Sequence, residues 1–208
     1  MLGTNKYVIS GADRLNMVFH LKEPGKTEPS GNFINVGLEL SANGVLAHPD
    51  PDVDLCIISI SDVIAQQEHT SRPVFFVHLA RSSIPQPEDW AYFDAMEEVV
   101  MIGCPNGIYD DANKMPLARR GIAATTISKR YNGKPWFLVD MACFPGSSGS
   151  PVFVFNQNGY IDRKTNINHV GASRLLFVGV LFAGPTISNT GEIVLGNAPT
   201  FQINSICI

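Results

Sequence analysis

About a dozen short apolar runs, each closed off by glycine, proline, asparagine or aspartate, constrain the fold of this 208-residue chain more than any other feature. They lie at 15–21, 31–40, 54–60, 74–79, 99–102, 121–129, 135–141, 152–155, 175–182, 192–195 and 204–208. Most are of strand length, too short for typical helices, and 54–60 and 121–129 are β-prone or rich in β-branched residues. Many short strands with regular turn signals predict an all-β barrel or sandwich. Residues 85–98, with Trp90, Tyr92, Phe93 and Met96, break the texture and read as a connector holding a short helix over 88–96. The polar stretch 156–171 reads as a long exposed hairpin loop.

Composition removes several classes of function. Hydrophobic residues make up 45% and charged residues 16%, the balance of a globular domain. The net charge of −4 and the lack of any basic run argue against a nucleic-acid partner. No apolar stretch has the length of a membrane span, and no apolar leader opens the sequence. The cysteines, Cys56, Cys104, Cys143 and Cys207, have neither C-x-x-C pairing nor metal-ligand spacing. They read as reduced thiols of a cytoplasmic protein, with Cys56 and Cys104 buried as small hydrophobes, and no metal or cofactor is expected.

Chemistry concentrates in Phe144-Pro145-Gly146-Ser147-Ser148-Gly149-Ser150-Pro151, directly before the apolar strand 152–155. A serine hydroxyl becomes a useful nucleophile only when it is exposed, aimed and beside a base. Gly146 and Gly149 permit the backbone angles of a tight turn that aims it. The amides of Gly146, Ser147 and Ser148 are then candidates to stabilise an oxyanion. A second candidate is Asp54, a carboxylate at the mouth of the apolar run 55–58. It is suited to orienting a base, or alternatively to capping a strand start.

The segment around Ser148 resembles the G-x-S-G-x-P signature of trypsin-like serine peptidases, with Ser148 as nucleophile. Asp54-Leu55-Cys56-Ile57-Ile58 resembles the D-L-A-hydrophobic segment of the HtrA-like branch of that family. Ile102-Gly103-Cys104-Pro105-Asn106-Gly107 resembles the same branch's I-G-x-P-x-G turn. Residues 4–13 resemble its T-N-x-H-V-hydrophobic-x-G-A-D segment. The four motifs occur in family order, with 47 residues from Tyr7 to Asp54 and 94 from Asp54 to Ser148. The chain is thus similar to trypsin-like serine peptidases of a bacterial type without an attached PDZ domain.

The resemblance implies two six-stranded antiparallel Greek-key barrels with the active site between them: an N-terminal barrel over 1–84, a connector over 85–98 and a C-terminal barrel over 99–208. The family places about two further strands ahead of the 4–13 motif, so the first barrel is expected to be incomplete, open at one edge. The resemblance implies a peptide or protein substrate and a Ser148 acyl-enzyme. It places the pocket floor at Ala142 and one wall along Leu181, Phe182 and Gly184. Nothing charged stands at these positions, which suggests a small or apolar residue before the scissile bond, the alternative being that these residues are simply core.

One departure is decisive. Tyr7 stands where the family has its catalytic histidine. A phenol, with a pKa near ~10 against ~6.5 for imidazole, is a poor proton acceptor at neutral pH. His48, six residues before Asp54, reads as a loop histidine, and His20 as strand packing. Lys6 should point away from a cleft that Tyr7 faces. Arg119-Arg120 reads as a solvated pair ahead of a strand, with substrate contact as the alternative. The expectation is therefore an impaired serine endopeptidase, or else an inactive peptide-binding relative or a truncated fragment.

Overall fold

The apolar runs fold into strands that form two unlike halves. A computed structural model describes residues 1–23, 25–41, 44–70, 72–183 and 202–207. In the first half, β1 (Leu2–Thr4), β5 (Cys56–Ile58) and β4 (Val45–Ala47) make one antiparallel sheet in the order β1-β5-β4. A second sheet has the order β3-β2-β6, from β2 (Arg14–Lys22), β3 (Pro29–Glu39) and β6 (Val74–Phe75). The β2–β3 hairpin is long and runs from Arg14 opposite Glu39 to Lys22 opposite Pro29. These six strands stand as two three-stranded sheets rather than one closed barrel.

The second half closes. β7 (Glu98–Gly103), β8 (Leu117–Ala123), β9 (Trp136–Cys143), β10 (Pro151–Asn156), β13 (Arg174–Ala183) and β14 (Gln202–Cys207) form a six-stranded barrel in the order β10-β13-β14-β9-β8-β7. Strand alternation explains its interior. Successive side chains of a strand face opposite sides, and in β9 every second residue, Phe137, Val139, Met141 and Cys143, is buried. They pack with Val99, Met101, Val152, Val154, Val178 and Leu181 in one contiguous core, which Phe93 and Ile127 extend.

Several expectations shift in register. The strand expected over 121–129 is β8, ending at Ala123, after which the chain turns so that Ala124 can bond back to Leu138. The run 74–79 keeps only two residues of strand, β6. The polar stretch 156–171 is a paired hairpin, β11 (Gly159–Asp162) with β12 (Ile167–Val170). The helix expected over 88–96 is only a 3-10 turn, Trp90–Tyr92, which ends as Phe93 turns into the barrel core and Met96 takes a left-handed φ of 68°. The α-helix α1 (Ser61–Glu68) was not foreseen, and only Val63 of it is buried. The expected strand 192–195 lies outside the described residues. No helix among the described residues is long and apolar enough to cross a membrane.

Candidate functional site

Two hydrogen bonds tie the 4–13 segment to Asp54. β1 pairs Thr4 with Cys56, which brings the following residues alongside Asp54. The fully buried Asn5 donates its Nδ2 to the Asp54 carbonyl at 2.7 Å. The chain then enters a 3-10 turn, Tyr7–Ile9, and the Tyr7 backbone N–H donates to Asp54 Oδ1 at 3.3 Å. Tyr7 and Asp54 are therefore neighbours, joined through the tyrosine's backbone. The Tyr7 side chain is 53% exposed.

The turn around Ser148 is assembled by its own backbone. Gly146 and Gly149 have φ of +82° and +84°, a region costly for residues with a Cβ. The Ser147 amide donates to Phe144 O at 3.1 Å and the Ser150 amide to Ser147 O at 3.2 Å. The Gly149 amide donates to Leu181 O at 2.9 Å, which anchors the turn on β13. The expectation for Ser147 is corrected here, because its N–H is spent inside the turn. Among the described residues, the Gly146 and Ser148 amides have no backbone partner in the turn.

Both halves meet at this turn. A Cβ on Gly149 would lie 2.7 Å from Thr4 Oγ1, and one on Gly103 would lie 1.9 Å from Ser150 Oγ. Glycine at these two points lets β1 and the end of β7 close against the turn. Val8 and Ile9 from the first half and Gly146 and Ser148 from the second line one cavity of about 310 Å³. Its remaining walls are largely apolar, with Leu2, Leu15, Ile58 and Ile102.

Ser148 is half-buried and its Oγ donates to Phe182 O at 3.3 Å. No histidine bonds to it among the described residues. His48 Nδ1 accepts from the Asp50 amide, His20 packs edge-on against Phe33, and His169 stacks on Tyr160. Lys6 reaches Asp50 O at 3.3 Å, away from Ser148. The pocket expectations divide. Ala142 is exposed. Phe182 lies beside Ser148 through its carbonyl and packs on Trp136 at 5.0 Å between centroids. The Leu181 side chain belongs to the barrel core, so only its backbone faces the turn, a correction to its reading as a pocket wall. Gly184 lies outside the described residues.

Sequence reasoning missed Arg119 at this site. Its Nη1 donates to Ala142 O and to Ser147 Oγ, both at 3.1 Å, so it is a partner of the Ser148 turn and not a solvated surface charge. The only available signal was a charge flanking an apolar strand, which carries no long-range information. The cysteine reading also needs one correction. Cys56 and Cys143 are buried free thiols, but Cys104 is exposed because it follows the last residue of β7. Burial pushes the Cys143 thiol up to about 11, against a smaller opposing pull from Arg119.

Residues 3–161 match the family model described as a trypsin-like peptidase domain, a span that contains Tyr7, Asp54 and Ser148. No curated protein matches the chain.

Proposed function

Because the chain belongs to the trypsin-like peptidase family, we propose that it binds peptides or proteins between its two halves. In this reading it attacks the scissile bond with Ser148, at a rate held down by the lack of an imidazole at position 7. Residues 1–84 present the acid, 99–208 present the nucleophile, and 85–98 join them. The observation that carries the reading is the shared cavity, with Val8 and Ile9, directly after Tyr7, on one wall and the Ser148 turn on the other.

The chemistry follows from the residues present. Ser148 Oγ adds to the substrate carbonyl carbon while the Gly146 and Ser148 amides take the negative charge on oxygen. The amine departs carrying a proton taken from solvent and leaves an ester on Ser148; water then adds to that ester, releasing the carboxylic acid and restoring the serine hydroxyl. Tyr7 cannot take the serine proton efficiently near neutrality, so that proton passes to solvent. Oxyanion stabilisation and binding alone give roughly 10³–10⁴-fold over water in triad enzymes stripped of a member. The chain is placed in that regime.

A second reading, peptide binding without turnover, draws on the Ser148 hydroxyl's bond to Phe182 O, which engages its proton without a base. Cleavage of denatured casein and of fluorogenic peptides by the wild type, Tyr7→His and Ser148→Ala separates the two. The proposal expects slow wild-type cleavage that Ser148→Ala abolishes. It expects Tyr7→His to be faster by about 10²–10⁴-fold, the usual worth of a positioned general base. Tyr7 is exposed, so this replacement should cost little stability. Peptide binding with no Ser148-dependent cleavage in either protein would favour the second reading.

A further inference from the structure

We infer that Arg119 is the positioning residue that sets the oxyanion turn, a role that rests on the Ser148 reading above. Arg119 stands on β8, where it pairs with Met101 of β7, so the closed barrel fixes its base. From there one nitrogen, Nη1, spans the turn. It donates to Ala142 O, at the entry, and to Ser147 Oγ, the side chain just before the nucleophile. Ser147 Oγ also accepts from the Phe144 amide at 3.3 Å, and the Ser147 amide returns a bond to Phe144 O at 3.1 Å. Ser147 is 2% exposed, so its hydroxyl points beneath the turn, away from solvent. The backbone from 144 to 147 is thereby closed on itself and tied to β8 by the Arg119 guanidinium. The free Gly146 and Ser148 amides flank Ser147, so fixing Ser147 fixes their direction.

The energetics favour a functional over a stabilising role. Arg119 Nε and Nη2 are buried with no partner among the described residues. Unmet buried donors, above all on a charge, cost stability. The Phe144 ring at 6.0 Å offsets only part of that. A half-buried cation with two unmet donors that organises a catalytic loop fits the rule that functional sites break local rules which the rest of the chain obeys. Arginine suits the task, because one Nη nitrogen carries two hydrogens for two acceptors on a planar, rigid group.

Two measurements on the full chain test this. The first is amide hydrogen exchange and ¹⁵N–¹H spectra of wild type, Arg119→Ala, Arg119→Gln and Ser147→Ala. Losing Arg119 should speed exchange of the Ser147 amide by about five- to tenfold, the worth of roughly one hydrogen bond. It should also move the Gly146 and Ser148 resonances, while Val99, Val139 and Val178 stay put. Ser147→Ala should move the same two resonances, and combining it with Arg119→Gln should move them by less than the sum of the two, since the Arg119–Ser147 bond is common to both. The second is binding of acetyl-Ala-Ala-Pro-boroalanine, whose boron bonds to Ser148 Oγ as the hydroxyl proton leaves to solvent, against the same peptide as an amide. Arg119→Gln should weaken the boronate about 10–100-fold, a fraction of losing an oxyanion donor outright, and leave the amide unchanged.

Unmoved Gly146 and Ser148 resonances in Arg119→Gln would overturn the inference. So would equal weakening of boronate and amide, which would make Arg119 a substrate-binding group. If the boronate gains nothing over the amide even in wild type and Tyr7→His, the Ser148 reading fails. The exchange measurement then still decides whether Arg119 sets the turn.

Discussion

The two halves of this molecule solve the same problem with unequal means. The second half closes six strands into a barrel around a contiguous core and leaves its sheet without an edge. The first half arranges six strands as two separate three-stranded sheets, with buried positions such as Leu21, paired with Val74, and Ile58. The Ser148 turn is anchored on the closed half at three places: Gly103 against Ser150, Leu181 O on Gly149, and Arg119 on Ser147. Asp54 is held by the open half through Asn5 and the Tyr7 amide. In the proposed mechanism the demanding geometry, two amides aimed at one volume, is built on the closed half, expected to be the stiffer support, and the more tolerant task of orienting a base falls to the open one, expected to be looser. The position that departs from the family pattern, Tyr7, is on the open half.

That contrast is open to attack. Phe137, fully buried in the barrel, should cost about 3–5 kcal/mol when cut to alanine, the range for core aromatics. Chemical denaturation would measure this, and a loss under about 1 kcal/mol would mean that the barrel is not the stiff half. The thiols offer a smaller test. Cys143 sits in the barrel core with its thiol held near 11, so the thiolate fraction below pH 9 is about a hundredfold smaller than for an ordinary cysteine. Iodoacetamide at pH 8 with mass-spectrometric mapping should therefore modify exposed Cys104 long before Cys143. Comparable rates would show that the barrel opens readily. The smallest effect belongs to the first half. Asn5→Ala removes the bond to Asp54 O and should cost about 1 kcal/mol of stability. In the Tyr7→His background it should also lower Ser148-dependent cleavage, because the Asp54 that orients the new imidazole loses its support. An unchanged rate would separate Asp54 from the site.

Much of this was legible in the sequence because it is local. The alternation of β9 announces its buried face, and the glycines at 146 and 149 announce a turn with positive φ. The adjacency of Tyr7 and Asp54 followed from motif order, and pairing of β1 with β5 realises it. What was missed depends on register or on weak signals. α1 has one buried residue, Val63, so it shows no apolar stripe to read. β4 is three residues long and is held mainly by its bonds to β5. Arg119 reaches its acceptors 23 and 28 residues further along the chain, a meeting that only barrel closure determines. The Leu181 reading failed because the backbone of β13 contacts the turn while its side chain belongs to the opposite face.

The central claim is that Ser148 sits in a prepared oxyanion turn and lacks only an imidazole at position 7. Labelling with a fluorophosphonate, followed by mapping of the modified peptide, addresses it directly. Modification should be slow and confined to Ser148 in the wild type, at least about a hundredfold faster in Tyr7→His, and absent in Ser148→Ala. Absence of Ser148 labelling in both the wild type and Tyr7→His, with the fold intact, would contradict it.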